Sequence, residues 1–211
     1  MIPKKLKILS SLLVLAGVLP LTGCAALQSD IPPPSIYRIE AKPQQNPIML
    51  DLSDTTIMVV TEPDMPAGLS GKDMILHYDN GRRQDRYAAA LWADDLSDLI
   101  QQFVTNQARA TFPNLVVDNP RSGLASRYKL NIDVLDFQPV YAEQASGIPT
   151  LVTRIRFTLT GGEDRVLLSD IVLERETKAS ENNLSVITAG LESQLQDIVT
   201  EGLERMAPTI K

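Results

Sequence analysis

The chain has 211 residues, with 20 Lys or Arg against 26 Asp or Glu, a single histidine and a single cysteine. That supply excludes a multi-histidine metal site and an intrachain disulfide, and the formal net charge of −6 argues against a nucleic-acid surface. Apolar residues make up 44% and aromatic residues 5%, which predicts an aliphatic core and leaves few rings for stacking on bases.

Lys4, Lys5 and Lys7 precede a mostly apolar run from Ile8 to Leu21, the order of a secretory signal. The run is too short to cross a hydrocarbon core comfortably as a helix. It ends in Leu21-Thr22-Gly23-Cys24, which resembles the lipobox of bacterial lipoproteins. The resemblance implies that residues 1–23 are a removed signal. Cys24 then becomes the first mature residue, carries a thioether-linked diacylglycerol, and takes a further acyl chain, such as palmitate, on its amine. One buried chain binds only marginally and two already hold, so a triply acylated Cys24 anchors the protein. An ordinary cleaved signal followed by a soluble periplasmic domain is the alternative. Ala25 follows the cysteine where aspartate would retain a lipoprotein at the inner membrane, so the expected place is the outer membrane, lipid-anchored and facing the periplasm. Loss of the signal leaves 17 basic against 26 acidic residues, a net −9 that argues against a nucleic-acid or anionic-lipid surface.

Residues 24–35 read as a flexible linker, in which Pro32-Pro33-Pro34 favours an extended segment that stands the domain off the bilayer by about 30 Å at ~3.1 Å per residue. Residues 36–211 read as a single domain. Ile36 to Ile39 alternates as a short strand, ended by the segment Lys42 to Pro47. Thr56 to Val60 reads as a buried strand closed by Glu62-Pro63-Asp64-Met65-Pro66. Met74 to Tyr78 and about Arg86 to Trp92 form a hairpin across Asn80-Gly81, where a type I′ turn needs positive φ. Asp94 or Asp95 caps a helix with Leu96, Leu99, Ile100, Phe103 and Val104 on one face, stopped by Phe112-Pro113. Asn114 to Val117 leads into another strand.

Tyr128, Leu130, Ile132 and Val134 alternate with polar residues before the apolar phase jumps to Leu135 and Phe137, which implies a bulge or bend near Val134. Leu151 to Thr160 pairs through Gly161-Gly162 with Val166 to Glu174. Leu184 to Met206 is helical, with Ile187, Leu191, Leu195, Ile198 and Leu203 on one stripe; Gly190 and Gly202 mark either a weak helix or close packing on the sheet. The class is therefore α+β, an antiparallel sheet with two main helices packed on one face in a two-layer sandwich. The other face carries Arg154, Arg156 and Thr158 and is polar.

Chemistry is sparse. His77 alone would have to serve any Ser-His-Asp arrangement, and no Gly-x-Ser-x-Gly elbow accompanies it. Gly68-Leu69-Ser70-Gly71-Lys72 has the wrong spacing for a phosphate loop, and Gly161 to Asp164 lacks the alternating ligands of a calcium loop. Asp94, Asp95 and Asp98 are accounted for by a helix start. These readings predict no enzyme, no cofactor and no metal. Arg82 and Arg83 form a small basic cluster that either stays solvated or meets an acidic partner. With Arg154 and Arg156 they are the candidate partner-binding residues, beside Cys24 as the lipidation site. The apolar loops 65–69 and 141–151 either contact a partner or lipid, or fold back on the core.

Several of these features also carry a family resemblance: the lipobox, the strand Ile36-Tyr37-Arg38-Ile39 after a proline run, then Leu69, Ile75, Tyr78, Tyr87, Trp92-Ala93-Asp94, and the strand from Tyr128 to Phe137. Together they resemble the auxiliary lipoproteins of ABC-type transport systems, the group that includes paraquat-inducible protein C. The resemblance implies an outer-membrane lipoprotein that works with an MCE-type periplasmic protein and an ABC transporter complex in intermembrane lipid transport. It implies no catalytic residue. The runner-up function is a periplasmic lipoprotein that binds and regulates a cell-wall synthase, and a homo-oligomer is left open.

Overall fold

The computed structural model describes residues 33–43, 46–52, 54–143, 146–162 and 164–211; the signal, Cys24 and the linker as far as Pro32 lie outside the described residues. Ten main elements follow in chain order: β1 (Ser35–Tyr37), β2 (Ile57–Val60), β3 (Asp73–Tyr78), β4 (Arg83–Trp92), α1 (Leu96–Thr111), β5 (Val116–Asp118), β6 (Tyr128–Val140), β7 (Thr150–Gly161), β8 (Val166–Lys178) and α2 (Leu184–Met206). The eight strands form one sheet, and the overall class is α+β.

β6 is the axis of that sheet. One of its edges pairs antiparallel with β7 along its length, and β8 pairs antiparallel with β7 beyond it. Its other edge is shared, parallel in both cases, between β2 beside Tyr128 to Leu130 and β3 beside Val140. β4 pairs antiparallel with β3, while the short strands β1 and β5 pair parallel with β4 and β2. The sheet is thus antiparallel in its long hairpins and parallel where short strands join it. A hairpin announces itself through a local turn, whereas β5 reaches β2 only after the chain has passed through α1.

The phase jump in β6 is a bulge: the register shifts between Val134 and Asp136, so Leu130, Ile132 and Val134 before it and Phe137 after it all face the core. The β3–β4 hairpin also forms, with its turn one residue earlier than the Asn80-Gly81 pair suggests. Asp79 and Asn80 hold φ of 50° and 56° between Tyr78 and Gly81, and Gly81 N–H donates to Tyr78 O at 2.9 Å. Asn and Asp tolerate this left-handed region better than other side chains do. At α1 the capping expectation is corrected: Asp95 occupies the N-cap but makes no side-chain cap bond. Asp94 instead accepts from the Asp95 N–H at 3.0 Å and pairs with Lys72 at 3.1 Å.

Both helices lie on one sheet face and touch each other, with Gln107 of α1 donating to Thr200 of α2 at 3.3 Å. α2 runs unbroken through Gly190 and Gly202. A Cβ at Gly202 would stand 3.0 Å from the ring of Phe157, and one at Gly190 would stand 2.3 Å from Leu151 Cδ1. The two glycines therefore mark close approach of α2 to β7. A continuous aliphatic core with Phe103, Phe112, Phe137 and Phe157 fills the space between the layers.

One buried polar group joins the layers. Gln194 of α2 accepts from Thr153 Oγ1 at 2.8 Å and donates to Leu151 O at 3.1 Å and to Thr177 Oγ1 at 3.0 Å. Gln194→Leu leaves these sheet groups without that partner, so it is expected to cost about 1–3 kcal/mol in urea unfolding. Adding Thr153→Val should cost less than the sum of the two single changes. Full additivity would show that the Gln194–Thr153 bond is not energetically coupled.

Candidate docking face

The sheet face away from the helices is built by alternation. On β7 the odd residues Leu151 to Leu159 are buried under α2, which leaves Arg154, Arg156 and Thr158 on the open side. Register places Asp136 and Glu174 beside Arg154, Asp133 and Val172 beside Arg156, and Asn131 and Asp170 beside Thr158. Leu135 at the bulge and Val172 on β8 add exposed apolar surface to this polar field.

The arginines here are matched within the face. Arg154 pairs with Asp136 at 2.6 Å. Arg156 grips Asp170 with two parallel bonds of 2.7 and 2.6 Å, and Thr158 adds a third contact to the same carboxylate at 3.4 Å. The bond from Arg156 holds the Asp170 carboxyl below the usual carboxylate range, and that from Asp170 raises Arg156. The result is a fixed cross-strand ladder of paired charge whose geometry is set before any partner arrives.

The ladder continues toward β3. Gln138 is buried and donates to Asp136 Oδ1 at 2.9 Å, with His77 Nδ1 at 3.5 Å from the same amide nitrogen. His77 is thus an end group of a structural polar chain. Among the described residues no group of three or more His, Cys, Asp or Glu is placed to hold a metal ion.

Beyond His77, one tyrosine ties strand β4 to the segment before α2. Tyr141, buried at the end of β6, donates to Asn182 at 2.8 Å and receives the hydroxyl of Tyr87 at 2.7 Å; its ring lies 5.9 Å from that of Tyr78. Arg83 stands over Tyr78 at 5.7 Å and pairs with Asp79 at 3.6 Å, while Arg82 makes no ion pair among the described residues. The structure therefore places Arg82 and Arg83 at the β3–β4 tip and Arg154 and Arg156 in the middle of β7. Sequence reading missed the Tyr87–Tyr141–Asn182 chain, whose members are 54 and 41 positions apart. The loops it left open mostly fold back: Leu69 and Tyr141 are buried and Met65 packs on the core, while Ile148 stays exposed.

Burial, then the bond to Tyr141, raises the Tyr87 hydroxyl well above its ordinary range, and burial raises Tyr141. A raised native pKa means the unfolded chain gives up the proton first as pH climbs. Stability from these groups is therefore present below about pH 10 and lost above it. Tyr87→Phe is expected to flatten the alkaline fall of the urea midpoint, and an unchanged slope between pH 9 and 11 would contradict a role for the half-buried Tyr87–Tyr141 bond.

Residues 37–202, from β1 into α2, match the family model described as ABC-type transport auxiliary lipoprotein component. The chain belongs to that family. Two solved structures share the auxiliary lipoprotein fold. A Xanthomonas campestris protein of family DUF330 is 19% identical, with a TM-score of 0.71, covering 83% of this chain and 95% of that one. An uncharacterised protein is 15% identical, with a TM-score of 0.66, covering 83% and 99%. No curated protein matches the chain. In this auxiliary lipoprotein, no helix among the described residues is long and apolar enough to cross a membrane.

Proposed function

We propose that this auxiliary lipoprotein is a non-enzymatic docking component of an ABC-type, MCE-linked intermembrane lipid transport system. Acylated Cys24 holds it to the outer membrane, and its domain faces the periplasm. The observation that carries the reading is the open sheet face: a broad surface left uncovered by the helices and pre-set by the Arg154–Asp136 and Arg156–Asp170 pairs, in a chain whose family is named for transport. Fixed, paired charges with exposed Leu135 and Val172 among them suit recognition by shape and charge pattern, as a partner's interface requires. The partner is an MCE-type protein that reaches across the periplasm, with the ABC transporter behind it.

Affinity purification of the full chain from crosslinked native membranes tests this. An MCE protein and ABC subunits should be recovered with it. Recovery of the lipoprotein alone would overturn the reading.

A further inference from the structure

A second feature lies at the β7–β8 hairpin. There a cavity of about 110 Å³ is lined by Arg127, Lys129 and Arg165 together with Ser126, Thr160 and Gly162. Three cations meeting in one small space is unexpected in a domain with an excess of acid. Nine cations of the described residues pair with carboxylates, among them Arg154 and Arg156 on the open face. Among the described residues no ion pair involves Arg127, Lys129 or Arg165, and Asp164 on the same hairpin does not line the cavity.

The backbone fixes this convergence. Register sets Lys129 against Thr160 and Tyr128 against Gly161, and Gly162 N–H donates to Arg127 O at 3.1 Å, which ties the Arg127 segment to the hairpin tip. Arg165 then turns back at φ 52°, its N–H bonded to Gly162 O at 3.3 Å. A non-glycine residue in that region is uncommon. The nearby C-terminal residue is held at the far end of the Tyr128 ring, where the hydroxyl donates to Lys211 O at 2.6 Å.

Size and surroundings indicate the ligand. The space of about 110 Å³ admits a small tetrahedral oxyanion. Next to it, Val166 and Leu167 are each 59% exposed, the largest such adjacent apolar pair on the strands. Three cations without a carboxylate partner, Arg127 among them over the Tyr128 ring at 5.8 Å, together with two hydroxyls suit phosphate, and the apolar step beside them suits the start of an acyl chain. We infer that Arg127, Lys129 and Arg165 form a binding site for the phosphate of a phospholipid headgroup, with Val166 and Leu167 against its glycerol and proximal acyl carbons. The site lies at the hairpin end of the open face, one cross-strand pair beyond Asn131 and Thr158 and away from the Arg154 and Arg156 pairs, and its failure would leave the crosslinking test untouched.

The test uses the mature chain carrying Cys24→Ala, which has no acyl anchor, and vesicles of phosphatidylcholine with or without phosphatidylglycerol. Sedimentation should show binding that depends on phosphatidylglycerol and weakens with salt. Combined Arg127→Gln, Lys129→Gln and Arg165→Gln should weaken it by about a hundredfold, on the order of fivefold per cation. Arg82→Gln with Arg83→Gln should leave it unchanged. The singles Arg127→Gln and Arg165→Gln, both at exposed positions, guard against misfolding of the triple variant and should each show their fivefold share. Val166→Ser with Leu167→Ser should weaken vesicle binding without changing the urea midpoint. Equal binding by the triple variant and the parent would overturn the site. Inorganic phosphate displacing the vesicles at low concentration, with the serine pair having no effect, would overturn the lipid assignment in favour of free phosphate.

Discussion

Cys24→Ala is expected to move the protein out of the membrane. With residues 1–23 replaced by an ordinary cleaved leader, so that the apolar run cannot itself act as an anchor, the variant should appear in the soluble periplasmic fraction. The parent chain should stay in the pellet through a high-salt wash. The size of the effect follows from acyl length: each buried methylene contributes about 0.8 kcal/mol, one chain binds only marginally, and each further chain multiplies retention steeply. Labelled palmitate should enter the parent and not the variant. No helix among the domain's described residues is long and apolar enough to cross a membrane. A palmitate-labelled Cys24→Ala chain, or an unlabelled parent that still pellets, would contradict lipidation at this cysteine.

The second large effect is on stability. Phe157 is fully buried at the centre of β7, under α2, and its ring meets the backbone of that helix where Gly202 removes a side chain. Phe157→Ala should cost about 3–5 kcal/mol, because the two layers cannot collapse into the space that is left. That is a large share of a typical stability of roughly 5–15 kcal/mol. Gly202→Leu attacks the same contact from the other side and should cost about 1–3 kcal/mol through overpacking, despite better helix propensity. Urea midpoints for both variants check this. A loss below 1 kcal/mol for Phe157→Ala would show that α2 is not seated on β7 as described.

Much of this architecture was legible because it is written in local periodicity. The break in the alternation of Tyr128 to Phe137 predicts a bulge or bend near Val134, where the register shifts, and the stripe from Ile187 to Leu203 predicts the buried face of α2. The parallel pairings were not legible: β1, β2 and β5 have three, four and three residues, too few for a period to identify a partner across the chain. At α1 the cap position was legible, with Asp95 at the N-cap, but the missing side-chain bond and the pairing of Asp94 with Lys72 were not. For the functional faces, alternation on β7 indicated that Arg154 and Arg156 are exposed, but their matching to Asp136 and Asp170 depends on strand register. Tyr141 and Gln138 were invisible as connectors, since their partners come from other strands and loops.

The proposed function requires the domain to act by contact through its open sheet face. A photo-crosslinking residue placed at Thr158 or Asp133 on that face, and separately at Gln102 on the exposed side of α1, tests it in native membranes. Adducts with an MCE protein are expected from the two sheet positions and none from Gln102. Adducts from Gln102 alone, or no adduct from either sheet position, would contradict it.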